Sequence, residues 1–482
     1  MTEPNQFDVV SDDHPVADQE PKALVEQVVQ SIAQAAPEGW ESIHAVFSLA
    51  GGREIANIVA VVDEPVQLPI TPDIIEPIRT HRRLTVGEQG PWLRLMFDCD
   101  NTGALQVAFD YGDKGLPVDQ LLPAEAYRRD IEEFPREVPL WLLAYMKNTG
   151  QQLRSAAQAL RDSVAVSEAR VSDDEIPSFP TLWARIGVLA AICRGSEAPI
   201  DLRVDPAFQL YIGENGGCTL CRLPGNRAVL SGGRNDSRLL SAAYSGTIGQ
   251  PDLYRDAPAW LHNLYLDPRA ERGLLSFCYW WDGEHWYRPD HPEITGEAPW
   301  RPTDEIARGI PGAWTLETTA SLLTTVLTRI GVELTDKNAY SATDLVRAAE
   351  ARIVTERVLS RLFINGVPES FDMAEALAQL DAADLLLPSH PPIDQVTAKD
   401  RVVDFCRTNG VQYPLDRLVA DRWDGGWQVF APVAEGEIAI GRAIFLVADD
   451  GAVEQASTSA PPSQLAEVFA RRFAQRVRED RY

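Results

Sequence analysis

Apolar residues recur along this chain with two periods, and the switches between them mark out its elements. From Pro21, Leu24, Val28 and Ile32 return at four-residue spacing, which gathers side chains on one side of a helix, and Pro37-Glu38-Gly39 ends the run. Trp40 then opens a stretch in which Ile43, Ala45, Phe47 and Leu49 alternate as on one face of a strand, and Gly51-Gly52 predicts a turn into a second strand near residues 55–62. Residues 1–20 are acidic, contain proline and show neither period, so they read as a disordered tail.

Residues 91–111 can be registered by hand. Leu93, Leu95, Phe97 and Cys99 share one face, as do Leu105, Val107, Phe109 and Tyr111, and a slip of one residue would expose a whole row. Matching the faces requires a loop with an odd number of residues. Asn101-Thr102-Gly103 meets this, with Gly103 in the left-handed position of a three-residue hairpin. The same register sets Arg94 opposite Asp110 on the other face, where they can form a cross-strand ion pair. Leu153, Ala156, Ala157, Leu160 and Val164 then read as a helical stripe closing the first domain, residues 21–164.

Residues 165–180 are polar and proline-punctuated and read as a linker. An apolar helix over Leu182–Cys193 follows, then strands near Phe208–Ile212 and Cys218–Leu223, and the aromatic run Leu274–Arg288, with Asp282-Gly283 as a type I′ turn. Helical spacing resumes over Trp314–Ile330. In this second domain (181–332), the order of aromatic strand, acidic loop containing Ala298-Pro299-Trp300 and closing helix echoes the first. Internal duplication and a coincidence of order both fit. After a boundary at 331–340, Ser341 with Asp344 resembles a capped helix start. A helix ending at Gly410, strands at Trp427–Val433, Ile440–Ala448 and Ala452–Gln455 with Asp450-Gly451 as a turn, and an amphipathic helix through Leu465, Val468, Phe469, Phe473 and Val477 complete a third domain, 341–482. The expected class is α+β, with three small antiparallel-sheet-plus-helix domains in tandem, the first two related if the duplication is real.

Trp40, Trp92-Leu93-Arg94-Leu95 and Phe109-Asp110-Tyr111, with Tyr127 and Trp141-Leu142-Leu143 more loosely, resemble the YezG-like immunity family over residues 24–146. Trp427-Gln428-Val429-Phe430, Gly441-Arg442 and the Asp450-Gly451 turn are similar to a second class, the YrhB-like immunity domains. These resemblances imply a cytoplasmic antitoxin that neutralises a secreted toxin, often a nuclease, by direct binding. Family members are usually short single domains, whereas this chain is longer.

Charge and cysteine content refine the expectation. With 44 basic and 71 acidic residues the net charge is −27, which disfavours nucleic acid and anionic membrane, suits a basic protein partner and also serves solubility. Six cysteines in 482 residues form no disulfide framework, and most sit in apolar runs as buried thiols of a reducing compartment do. The N-terminal residues lack the positive and apolar regions of a secretory signal, and no run reaches the 18 or so apolar residues of a membrane span, so a cytoplasmic location is expected.

Chemistry-bearing motifs are scarce. Cys218-Thr219-Leu220-Cys221 has metal-like spacing but lacks a second pair, and on a strand its thiols point to opposite faces, so ordinary thiols are expected. Gly213–Gly217 and Ser231-Gly232-Gly233-Arg234 fit no phosphate-loop pattern and read as turns. Arg471, Arg472, Arg476 and Arg478 complement the dipole of the last helix and solvate its outer side. The sequence predicts no catalytic residue, metal or cofactor. The candidate partner-binding residues are Asp98, Asp100, Asp110 and Asp113 on the hairpin, and Trp280, Trp281, Asp282 and Glu284 on the aromatic hairpin, where alternation puts one Trp on the face away from the main core, either as a contact ring or in a second layer of core. The expected partner is a basic toxin domain. A chaperone or adaptor of a specialised secretion system, presenting sheet faces to secreted clients, is the rival reading.

Overall fold

The computed structural model describes residues 8–10, 19–163, 169–290, 294, 300–333, 335–433 and 442–480. The chain has an α+β arrangement with three separate sheets and divides into two compact units. The first comprises residues 1–152, 235–251 and 271–274, and the second the remainder.

The first unit is built on a six-stranded sheet. Its elements are β1 (Asp8–Val10), α1 (Gln19–Ala35), β2 (Ser42–Ala50), β3 (Arg53–Val61), β4 (Pro65–Gln67), α2 (Pro72–Leu84), β5 (Arg94–Asp100), β6 (Ala104–Asp110), α3 (Ala124–Glu133) and α4 (Leu140–Lys147). The strand order is β1-β6-β5-β2-β3-β4. Within the segment expected to be a disordered tail, β1 runs parallel to β6, and α1 begins at Gln19; residues 1–7 and 11–18 lie outside the described residues. Val25, Val28, Val29 and Ile32 of α1 and Ile74, Ile75 and Ile78 of α2 pack on Ile43, Ala45, Phe47, Leu95, Phe97, Cys99 and Leu105, with Val107 and Tyr111 at the margin; of the rows expected to be apolar, Leu93 packs in a separate cluster and Phe109 is exposed. The β2–β3 turn is Gly51-Gly52, both at positive φ, as a two-residue hairpin turn requires. In the second hairpin Arg94 pairs with Asp110 and Cys99 with Leu105, and Gly103 sits at φ 92°, the expected register and loop.

The second unit opens with α5 (Ala156–Asp162), and then β7 (Arg170–Val171), α6 (Phe179–Gly195), β8 (Asp201–Asp205), β9 (Phe208–Gly213), β10 (Gly216–Leu223) and β11 (Arg227–Arg234) follow. The stripe expected over residues 153–164 is not a core face: Leu153 and Leu160 are exposed, and Val164 lies outside the described residues. The expected linker is largely structure, because β7 pairs with a later strand and Ile176 and Phe179 are buried; residues 165–168 lie outside the described residues. The chain returns to the first unit with α7 (Arg238–Ser245), whose Leu240 and Tyr244 pack on Leu140 and Ala144 of α4. After α8 (Arg269–Arg272), β12 (Phe277–Trp281) and β13 (Trp286–Arg288) complete a seven-stranded antiparallel sheet in the order β7-β13-β12-β11-β10-β9-β8.

This order argues against the duplication. In the first sheet the later hairpin pairs with β2, the strand that opens the first hairpin, whereas in the second β12 pairs with β11, the last strand of the preceding meander. The acidic loop invoked for the repeat falls mostly on residues 291–293 and 295–299, outside the described residues. The β12–β13 connection is not a type I′ turn either. Trp281 pairs with Trp286, leaving a four-residue loop in which the Asp282 carboxylate accepts the N–H groups of Glu284 and His285.

The remaining elements are α9 (Pro302–Gly309), α10 (Leu316–Arg329), α11 (Asp336–Glu350), α12 (Glu356–Ser360), α13 (Met373–Ala382), α14 (Gln395–Asn409), β14 (Val419–Trp423), β15 (Gly426–Phe430), β16 (Ala443–Ala448), β17 (Val453–Ser457) and α15 (Pro462–Glu479). Helix α6, apolar on every side, lies between the seven-stranded sheet and residues of α10, α11 and α13, so residues from 336 to about 385 share the core of the second sheet and the expected boundary near 341 does not hold. Ser341 lies inside α11, which starts instead at a Thr335–Asn338 capping box. The four-stranded meander β14–β17 packs α14 on one face and α15 on the other, and Gly451 turns β16 into β17 at φ 86°. Ile440 and Gly441 lie outside the described residues. The arginines of α15 tie it down: Arg472 pairs with Glu454, Arg476 with Asp450 and Glu454, and Arg478 donates to the Arg352 and Leu386 carbonyls.

Candidate functional site

On β5, Arg94, Met96, Asp98 and Asp100 alternate with the buried Leu95, Phe97 and Cys99, and cross-strand partners share a face, so Gln106 and Asp110 of β6 lie beside them. The carboxylates expected as a cluster form a strip instead. Asp98 and Asp100 stand at the turn end and Asp110 at the other, roughly 13 and 20 Å away respectively at the rise of a strand. These three are placed by local chemistry. Asp98 is exposed opposite His44, which donates from Nδ1 at 2.6 Å. Asp100 accepts the N–H and Oγ1–H of Thr102 and the N–H of Ala104, and these bonds hold its carboxyl below the usual range. Asp110 takes Nε of Arg94 at 3.0 Å and the N–H of Gly112 at 2.7 Å. Asp113 is exposed, with no side-chain bond among the described residues.

Buried charge behind this strip gave no sign in the sequence. Asp130 is fully buried and accepts from Arg82 and Arg136 (2.9 Å each) and from the Gly51 N–H, joining α2, α3 and the β2–β3 turn. Trp92 Nε1 donates to Nδ1 of His81 at 3.2 Å, and the half-exposed Phe109 stacks on that ring at 5.5 Å. Burial lowers the His81 pKa from 6.5 to about 4.

The aromatic hairpin corrects an expectation. Trp280 and Trp281 are 3% and 5% exposed, so neither offers a ring to a partner. Both faces of the sheet are covered: Trp281 and Trp286 pack in the α6 core, whereas Trp280 joins Leu253, Leu261 and Leu275 on the far side. Asp282 and Glu284 remain exposed. Nearby, the exposed His285 ring contacts Asp173, and this hydrogen bond raises its pKa. These residues and the hairpin carboxylates belong to different units.

Cys218 and Cys221 do point to opposite faces, each into its own core. Burial pushes the thiols of Cys221 and Cys278 up to about 12, which makes them inert rather than nucleophilic. No group of three or more His, Cys, Asp or Glu positioned to hold a metal occurs among the described residues. None of the described helices is long and apolar enough to cross a membrane. Gly213–Gly217 does contain a turn, but Ser231–Arg234 is strand: a Cβ on Gly232 would lie 2.3 Å from the Gly217 carbonyl oxygen and 2.6 Å from the Phe277 ring, so close approach explains the glycine.

A cleft in the second unit was not foreseen. Its volume is about 640 Å³, and its walls come from α12, residues 386–390, the β14–β15 turn and α15. Asp424 there accepts from Arg357 at 2.8 Å and from Thr355 at 3.1 Å, while Asp449 takes both terminal nitrogens of Arg422 at 2.7 and 2.6 Å. Trp423, His390 and the edge of the buried Phe473 supply rings. A second cavity of about 360 Å³ adjoins it, sharing Thr355, Arg357, Leu387, Trp423 and Asp424 and adding Arg347 and Arg361. These groups come from segments well separated in sequence, 27 residues apart for Arg422 and Asp449 and 67 for Arg357 and Asp424; the turn-like Asp424-Gly425-Gly426 beside Trp423 was the only local signal.

No protein-family model matches this chain, and no curated protein matches it.

Proposed function

We propose that the chain is an immunity-type binding protein that neutralises a basic toxin domain by direct contact, with the exposed carboxylates of the β5–β6 hairpin and the loop after it as its recognition surface. The observation that carries this reading is the fixed acidic strip. Turn hydrogen bonds hold Asp100 and His44 contacts the exposed Asp98, while the largely buried Asp110 is taken up by Arg94 and Asp113 stays exposed on the loop after β6. Carboxylates ordered before binding lose little entropy on contact, so their attraction for a cation goes into affinity and encounter rate. A net charge of −27 extends that attraction beyond the strip and repels nucleic acid, the substrate that a nuclease toxin would hold in its place. Such a protein would work in the cytoplasm, where the toxin acts.

The rival role, a secretion chaperone offering sheet faces to clients, has less support, because cores lie on both faces of the second and third sheets. Co-expression with basic toxin domains from the same genome tests the proposal. Wild-type chain should restore growth against one of them, and a folded Asp98→Lys/Asp113→Lys variant should not. Failure to protect against any of them, or equal protection by the charge-reversed variant, would contradict it.

A further inference from the structure

The 640 Å³ cleft is within the size range of small-molecule sites, and its charges do not cancel. Of the three carboxylates on its walls, Asp424 is matched by Arg357 and Asp449 by Arg422. The third, Glu356, opens the first turn of α12, is exposed, and has no side-chain hydrogen bond or ion pair among the described residues. One carboxylate without a matching arginine therefore lines the cleft, together with Trp423 and His390. The adjoining cavity differs, because Arg347, Arg357 and Arg361 there equal Asp344, Asp424 and Glu467 in number.

We propose that the cleft binds a small organic cation, an amine carried on an aromatic or branched aliphatic body. The ammonium group would donate to Glu356, and its body would lie against Trp423 and Leu387, where a ring face also attracts the charge. An anion of the same shape would meet Glu356 unpaired. A neutral analogue would fill the same apolar wall and gain no charge-assisted hydrogen bond. The proposal is independent of toxin binding, and no toxin is present in its test.

Calorimetric titration of the full chain with 2-phenylethylamine, 2-phenylethanol and 3-phenylpropionate decides it. The amine should bind at least about tenfold more tightly than the alcohol, the ratio expected of one charge-assisted hydrogen bond, and the carboxylate should not bind. Glu356→Gln, a change at an exposed position, should remove that preference while leaving the melting temperature unchanged. Trp423→Leu should weaken amine and alcohol alike. Equal binding of amine and alcohol, an amine affinity indifferent to Glu356→Gln, or no heat with millimolar amine would overturn the proposal.

Discussion

His81 shows how a single side chain ties the first unit to pH. Its ring is buried, accepts from Trp92 and has its pKa lowered from 6.5 to about 4. In the unfolded chain the imidazole takes a proton near pH 6.5, and in the fold it resists until about pH 4. Above pH 6.5 the group is neutral in both states and has no effect. As pH falls from about 6.5 to about 4, the unfolded state binds the extra proton, and the first unit should lose up to about 3 kcal/mol of stability. Thermal unfolding of wild type and His81→Gln across that window should show the difference between them narrowing as pH falls; parallel curves would contradict the burial argument. Neither His81 nor the Arg82–Asp130–Arg136 group was legible in the sequence. Their partners lie on different elements, and nothing in local spacing distinguishes a charge that will be enclosed from one that will be solvated.

At the scale of elements, parity proved the most readable feature. Side chains on a strand repeat every two residues, so two apolar rows and one odd loop fixed the Arg94–Asp110 register without knowledge of the rest of the sheet. The same rule identifies one apolar face but does not say whether the other is covered. For Trp280 the cover is the irregular segment carrying Leu253, Tyr254 and Leu261, which has no period to read. Glycines misled for a related reason. In β11 their role is the approach of a neighbouring backbone, and turn chemistry was the wrong explanation for Gly232. Gly232→Ala should therefore cost about 1–3 kcal/mol through overpacking against Gly217 and Phe277. Chemical denaturation followed by hydrogen exchange in β10 and β11 would check this. An unchanged midpoint would mean the strands can part without loss.

For the whole molecule, length and composition indicated several cores and the hydrophobic periods an α+β class, but the boundaries were legible only in part. The proline-punctuated polar stretch 165–180 read as a linker, yet Ile176 and Phe179 inside it are core, and α11 and α13 pack on a sheet that precedes them in sequence. Burial of a helix against a distant partner leaves only an apolar stripe, which does not name that partner. The net charge of −27, by contrast, is a property of the entire chain and acts at long range. Its most direct test is the association rate between the full chain and a basic toxin domain it neutralises, measured by stopped flow from about 20 to 500 mM salt, where screening shortens from tens of ångströms to a few. The rate should fall steeply with salt, and more gently for Asp98→Lys/Asp113→Lys. A rate indifferent to salt, or the same slope in both proteins, would contradict recognition through the acidic strip.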